Sequence, residues 1–258
     1  MIARLKSWEG LLLATLVVIF TFNTLATPEF ATAGNQINLF QLSIEKIIMA
    51  LVMTFVIINA EIDLSIGSMM GLSACLFGWL FIHGVDPVLA CLICLGTGAV
   101  GGAFNGWFIT KVGLPSLVVT LATLIGFRGL ARVLVEDRGI NNFPKWFDAL
   151  GQQGLIGPVP FALMAFFVLF AVLYVVLERS GFGRLTYVIG SNKDVAEFAG
   201  VNTARHKMII FIGSGLCAAF AGLLFAARVG AVRGDVGNGF ELDVITIVLL
   251  GGVSIFGG

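Results

Sequence analysis

Arg179-Ser-Gly-Phe-Gly-Arg-Leu-Thr-Tyr-Val-Ile-Gly-Ser-Asn-Lys-Asp-Val-Ala-Glu-Phe-Ala-Gly-Val-Asn-Thr-Ala-Arg-His-Lys207 is a polar island between two long apolar runs, Phe161–Leu177 and Met208–Ala227. Runs of that length cross a hydrocarbon core of about 30 Å as helices, so the loop at 178–207 must lie in water on one side of a membrane. It nevertheless reads as structured. Ser191 or Asn192 can cap a helix, because a short side-chain oxygen accepts from the unpaired N–H groups of the first turn. Asp194 then sits near the positive end of the helix dipole, and Gly200 can end the helix in a left-handed conformation. Asn192, Lys193, Asp194, Val195, Ala196, Glu197, Phe198, Ala199 and Gly200 thus form a helix of about two turns, roughly 10 Å long. Val195, Phe198 and Ala199 lie toward one side of it, Asp194 and Glu197 toward another. Two readings stand: a docking element, or a loop helix that covers the end of the bundle.

Composition fixes the broad class. The chain is 58% hydrophobic and 12% charged, with a mean hydropathy of +1.02, whereas a soluble domain is about a quarter charged. Its 33 glycines fit transmembrane helices, where glycine is frequent. A formal net charge of zero gives no reason to expect a nucleic-acid partner. Cys75, Cys91, Cys94 and Cys217 all fall inside apolar runs and read as small membrane-buried residues, although Cys91-Leu-Ile-Cys94 matches C-x-x-C. His83 and His206 lie in separate loops, so no metal site is expected. The expected fold is all-α: a polytopic transmembrane bundle forming a single domain over 1–258.

The spans can be placed in order. The first covers Leu11 to about Leu25; it could be a signal peptide with Ala31-Thr32-Ala33 as cleavage site, but a retained helix is the simpler reading. The others cover about Leu42–Ala60, the stretch from Gly67 to Ile82, Val88–Thr110, Ser116–Val135, Phe161–Leu177, Met208–Ala227, and an apolar run from Leu242 onward. That makes about eight. The segment Glu136–Pro160 is a long polar excursion with a short interfacial helix expected around Lys145–Leu150. With the N-terminus inside, alternation places the 178–207 loop and its Lys and Arg residues inside too, in accord with the positive-inside rule. Arg138, Lys145, Arg228 and Arg233 count against that orientation.

An internal echo relates Glu61-Ile-Asp-Leu-Ser-Ile to Glu241-Leu-Asp-Val-Ile-Thr-Ile, and transporters commonly consist of two related halves. The eighth run is about one crossing long where the sequence stops, so a subunit lacking its last helices is expected.

Glu61, Asp63, Glu241 and Asp243 flank the starts of two spans. Together with Ser65 and with Asn105 inside the fourth span they are candidates for a substrate pathway, since ionisable and polar groups are costly in a bilayer; plain solvation at the interface is the alternative for the acids, a helix–helix bond for Asn105. Arg128, Arg132 and Glu136 form an i, i+4, i+8 stripe in which Arg132 and Glu136 can pair, or which presents donors to a polar substrate. Gly98, Gly102 and Gly106 share one helix face and let a neighbouring helix approach, and Gly67/Gly71 and Ser214/Ala218/Gly222 repeat that spacing. Gly96-Thr-Gly-Ala-Val-Gly101 matches G-x-G-x-x-G but lies mid-span, where no strand precedes it. No Gly-Lys phosphate loop, H-E-x-x-H or nucleophile–base set is present, so no enzyme and no ATP hydrolysis by a phosphate loop of this chain are expected.

Glu61-Ile-Asp-Leu-Ser-Ile-Gly-Ser68 resembles the "G-I-D-L-S-V-G-S" signature of inner-membrane permeases in bacterial ABC sugar importers. Gly181-Phe-Gly-Arg-Leu-Thr-Tyr-Val-Ile-Gly-Ser-Asn192 resembles their cytoplasmic "G-R-x-x-x-A-I-G-x-N" loop, and Val195–Gly200 the helix after it. Gly239-Phe-Glu-Leu-Asp243 and Leu250-Gly-Gly-Val-Ser-Ile-Phe-Gly-Gly258 resemble "G-x-E-L-D … L-G-G-x-S-x-x-G-G". One departure is Glu61, where many members carry glycine. The resemblance spans almost the whole chain. It implies about ten helices in a full subunit, import of a ribose-, xylose-, rhamnose- or autoinducer-2-like compound, and a multi-pass subunit of the bacterial inner membrane with a cytoplasmic N-terminus. It further implies a second permease subunit, ATP-binding subunits that hold the ATP and Mg, and a periplasmic sugar-binding protein. No cofactor is implied for this chain, and the helix at Asn192–Gly200 becomes the coupling helix. An ion-coupled secondary transporter is the reading from another class.

Overall fold

The computed structural model describes residues 8–136, 138–156 and 159–258. The chain divides into two compact units, 1–43 and 44–258. The first holds α1 (Trp8–Ala26) and the opening turns of α2 (Ala33–Ile58). Within it Phe20 and Phe30 meet edge-on at 5.4 Å, and the Asn35 side-chain amide donates to the Phe30 carbonyl at 2.9 Å.

The second unit is organised around α3 (Ile66–Ile82), which is buried along most of its length. Its neighbours are α4 (Pro87–Trp107), α5 (Ser116–Val135) and α10 (Thr203–Val229). The start of α4 follows from local chemistry. Asp86 accepts from the backbone N–H groups of Val88 and Leu89 at 3.0 and 3.1 Å, and Pro87 occupies a first-turn position where its missing N–H costs nothing. At its far end a π-helical turn, Phe108–Val112, closes on Gly113 in the left-handed region.

Gly98, Gly102 and Gly106 occupy the face of α4 that meets α10. A methyl group on Gly98 would strike the carbonyl of Gly215, one on Gly102 the carbonyl of Phe211, and one on Gly106 would lie 2.8 Å from Met208 Sδ. The two backbones therefore meet with almost no side chain between them, the geometry that small residues permit in membranes. The G-x-G-x-x-G match falls wholly inside α4.

Among the described residues five helices are long and apolar enough to cross a membrane: Ala33–Ile58, Pro87–Val112, Ser116–Val135, Phe161–Arg179 and Thr203–Val229; Gly10–Ala26 and Ile66–Ile82 are apolar but shorter. The expected count of eight is therefore not reached. The run from Leu242 does not form a span: α11 (Phe240–Leu250) has 11 residues and ends at Gly251. The connection before it accounts for this. Val232 packs on Gly78, the Cys75 thiol donates to the Arg233 carbonyl at 3.3 Å, Val236 lies on Gly71, and Gly237 lies on Gly67. Residues 232–237 thus run back along α3, and α11 starts beside the first turn of α3.

The polar excursion carries α6 (Lys145–Gln152), which packs on the end of α10. Phe147 stacks on Phe77 of α3 at 4.2 Å. A short antiparallel pair joins Ile140 to Val232 and Asn141 to Ala231. α7 (Phe161–Arg179) is largely exposed.

Gly98→Leu is expected to overpack the α4–α10 contact and to destabilise the detergent-solubilised protein by about 1–3 kcal/mol. Gly96→Ala, whose added methyl meets nothing within 4 Å, is expected to be neutral or slightly stabilising. Thermal unfolding of the two variants checks the contrast.

Candidate functional site

The connection from Ala60 to Ser65 starts exposed at Ala60 and turns inward. Asp63 is 3% exposed and Ser65 2%. Asp63 Oδ1 accepts from the Ser65 N–H at 2.9 Å and the Ser65 hydroxyl at 2.6 Å, and Oδ2 accepts from the Ser214 hydroxyl of α10 at 2.6 Å. Since the Ser65 hydroxyl gives its proton to Asp63, its oxygen accepts from the Asn105 side-chain amide of α4 at 2.8 Å. α5 holds the same connection: the Ser116 hydroxyl accepts from the Ile62 N–H at 3.2 Å, and the Thr120 hydroxyl contacts the Ile62 carbonyl at 3.2 Å. Glu61 forms an ion pair with Lys207 of α10. Asp63, Ser65 and Asn105 therefore sit inside the subunit, joining α3, α4 and α10.

The other acidic candidates lie elsewhere. Glu241, 8% exposed, is reached by Arg128 Nη2 at 3.2 and 3.4 Å. Asp243 is half-exposed and pairs with Lys46 at 2.6 Å. A further acid, Glu45, is 1% exposed and receives Arg228 Nε at 2.7 Å and Nη2 at 3.3 Å. Its partner stands 183 positions away, so no local spacing signals the pair. The expected Arg132–Glu136 pair does not form among the described residues. Glu136 leaves the helix with φ 48°, which breaks the i, i+4 geometry.

The polar island holds two helices, where one was expected. α8 (Gly181–Ser191) starts at Ser180, whose hydroxyl accepts from the Gly183 N–H at 3.2 Å. A methyl group on Gly183 would strike the Leu177 carbonyl, and one on Gly190 the Ile58 carbonyl. Thr186 and His206 are joined at 2.9 Å, and Phe182 stacks on the His206 ring at 4.1 Å. α9 (Lys193–Phe198) then begins at Asn192, whose side chain accepts from the Val195 N–H at 3.0 Å. Such a cap stabilises a helix by about 1 kcal/mol. Gly200 follows with φ +83°.

Only Ala196 of α9 is buried, whereas Val195 is 59% and Phe198 93% exposed. The apolar side of α9 thus faces away from the bundle. Glu197 Oε1 accepts from the Thr203 hydroxyl of α10 at 2.6 Å and lies 3.6 Å from Lys193 Nζ. The hydroxyl of Thr203, aided by Lys193, holds the Glu197 carboxyl below its usual value. A cavity of about 280 Å³ lies here, lined by Glu61, Lys193, Glu197, Thr203 and Lys207 among others.

Residues 35–258 match the family described as "Branched-chain amino acid transport system / permease component". The chain belongs to this permease family. It is 35% identical over 259 residues to the ribose import permease protein RbsC of Bacillus subtilis, covering 99% of this chain and 78% of the relative. It is 33% identical to the D-allose transport system permease protein AlsC of Escherichia coli (94% and 74% covered). It is 31% identical to the autoinducer 2 import system permease protein LsrC of Yersinia pseudotuberculosis (97% and 71%). No solved structure matches the chain. The permease is a multi-pass membrane protein. Among its described residues no group of three His, Cys, Asp or Glu side chains could hold a metal ion.

Two outcomes test this geometry. Ser214→Ala removes one donor from the buried carboxylate and is expected to cost about 1.5–3 kcal/mol of stability, read as a lower unfolding midpoint. The lowered Glu197 value means that its contribution is complete above the ordinary glutamate pKa of about 4.5 and is lost as the pH falls through the lower folded value. Amide exchange in α9 is expected to be flat from pH 7 to 5 and to accelerate, relative to the intrinsic rate, only in stronger acid.

Proposed function

We propose that this chain is the membrane-spanning permease subunit of an ATP-driven importer for a monosaccharide, of the rhamnose type or a related sugar. The relatives' names give ribose, D-allose and autoinducer 2, so ribose/xylose or autoinducer-2 import is the alternative within the family. The observation that carries the reading is the outward apolar side of α9. A helix capped at both ends, presenting Val195 and Phe198 to solvent and tied to α10 through Glu197 and Thr203, has the make-up of a docking element. A helix that merely covered the bundle would turn those side chains inward.

In this reading residues 1–258 form one permease domain and 178–207 its cytoplasmic segment, with Asn192–Gly200 as the coupling helix. ATP-binding subunits, carrying ATP and Mg, dock on α9. A second permease subunit completes the pathway in the inner membrane, and a periplasmic binding protein delivers the sugar. The N-terminus is then cytoplasmic, on the side of the Lys- and Arg-bearing segment. Closure of the ATPase pair shifts the bundle between states only through contacts that differ between them. The segment Lys193–Glu197–Thr203 leads directly into α10, and Lys207 leads into the Glu61–Ser65 connection.

The test is reconstitution with the partner ATPase and binding protein in proteoliposomes. ATP-dependent uptake of rhamnose, ribose or allose is expected, and uptake driven by an ion gradient without the ATPase overturns the proposal. Phe198→Asp, Glu197→Lys and Gly200→Val, the last forcing a β-branched residue to φ +83°, are expected to cut uptake at least tenfold with normal membrane insertion. Full uptake together with normal ATPase co-purification in all three counts against coupling through α9.

A further inference from the structure

The return of residues 232–241 along α3 brings the buried Glu241 carboxylate against the partly exposed Arg128 of α5. From Gly78 to Gly67 the segment passes 11 residues of α3, about 16 Å of helix. Glu241 is the second residue of α11, and a methyl group on Gly67 would lie 2.6 Å from its Oε2. Its partner Arg128 stands 12 residues into α5, about 18 Å from the start of that helix. Glu241 is 8% exposed and the Arg128 side chain 23%. Ionisable groups within a membrane-spanning bundle are costly, and broken helices are where transporters place their binding sites.

The contact geometry shows what the pair leaves unused. Arg128 approaches both Glu241 oxygens with the same nitrogen, Nη2, at 3.2 and 3.4 Å. A guanidinium that only neutralised a carboxylate would do better as a two-nitrogen fork. Instead Nε is buried and has no hydrogen-bond partner. A buried donor without an acceptor is unfavourable, and here it lies beside a carboxylate. Donor and acceptor side by side are what adjacent hydroxyl groups require, since each hydroxyl both gives and takes a hydrogen bond.

We infer that Arg128 and Glu241 form a contact station for an uncharged polyhydroxyl ligand at the break before α11, Arg128 donating to one ligand hydroxyl and Glu241 accepting from its neighbour. This rests on the monosaccharide reading and names the residues through which the permease itself meets the sugar. Asp63, Ser65 and Asn105 are then bundle fasteners, because their hydrogen bonds join α3, α4 and α10.

Arg128→Lys separates this role from a structural one. The ion pair uses a single nitrogen, which an ammonium can supply, whereas a lysine has no counterpart to Nε. Turnover is measured in the reconstituted complex with binding protein pre-loaded with D-ribose, D-allose or L-rhamnose, so that capture by the binding protein is saturated. Arg128→Lys is expected to lower the turnover of the transported sugar at least tenfold, with complex assembly and melting temperature as in the wild type. Arg132→Lys, on the same helix but exposed, is expected to keep wild-type turnover. Unchanged turnover in Arg128→Lys overturns the station and leaves the importer reading intact. A clear fall in its melting temperature assigns the pair to holding the fold and overturns the station equally. A wild-type complex that moves none of the three sugars overturns the sugar reading itself, and the station with it.

Discussion

The carboxylate of Asp63 is the group on which the second unit of the chain depends. It is almost wholly buried and makes no ion pair among the described residues. What compensates it is a set of three donors: the Ser65 N–H, the Ser65 hydroxyl and the Ser214 hydroxyl. Hydrogen bonds to a charged group contribute about 1.5–3 kcal/mol each, and a buried charge that loses them is among the most costly defects a fold can carry. The connection Ala60–Ser65 therefore cannot slide along α10 without stripping a buried acid of its donors. Asn105 extends the constraint to α4, and Ser116 and Thr120 extend it to α5.

α10 grips that connection twice, through Lys207 on Glu61 and through Ser214 on Asp63. The two positions are seven residues apart, close to two helical turns, so they share a face. A rotation of α10 would move both grips together. Its first turn is also where Thr203 meets Glu197 of α9. For the coupling role proposed for α9, this is a short and stiff route: α9 to the start of α10, and α10 to the connection that sets the start of α3. The ion pairs around it differ in weight. Lys46–Asp243 has a half-exposed acid, which keeps its contribution near that of surface pairs, about 0–1 kcal/mol. Glu45–Arg228 has a fully buried acid, and losing one partner there costs up to about 3–5 kcal/mol.

Local chemistry made part of this legible. The α9 helix begins at Asn192 and is followed by Gly200 in the left-handed region because capping and chain reversal are decided by a few neighbouring residues. The family resemblance carried by Glu61–Ser68 and the 181–192 segment was readable for the same reason: the motifs are contiguous. α8 is hard to read from sequence, because Gly181, Gly183 and Gly190 lower helix propensity. Those glycines are there for contact, since Gly183 and Gly190 lie against the carbonyls of Leu177 and Ile58. Arg128–Glu241, Glu45–Arg228 and Lys207–Glu61 join residues more than a hundred positions apart, beyond any spacing rule. The run at α11 falls short of a span among the described residues, because apolar length alone does not reveal that the chain before it returns along α3.

The returning chain also accounts for the small residues of α3. Gly67 and Gly71 have the small-x-x-x-small spacing that lets two helices approach, and on α4 and α10 that is what it does. On α3 the neighbour is not a helix. Gly67, Gly71, Cys75 and Gly78 face the returning chain at Gly237, Val236, Arg233 and Val232. Irregular backbone at membrane depth is tolerated only where protein, not lipid, surrounds it. Here one side of it lies on α3, with Val232, Gly234 and Gly237 buried, and its own turns, Val236 to Arg233, Asn238 to Asp235 and Phe240 to Gly237, bond part of its backbone. Side chains on that face of α3 would push the segment outward toward lipid, where its peptide groups have no partners. The glycines of α3 are therefore the condition for the chain's return along that helix, and the place of Glu241 beside Gly67 follows from them.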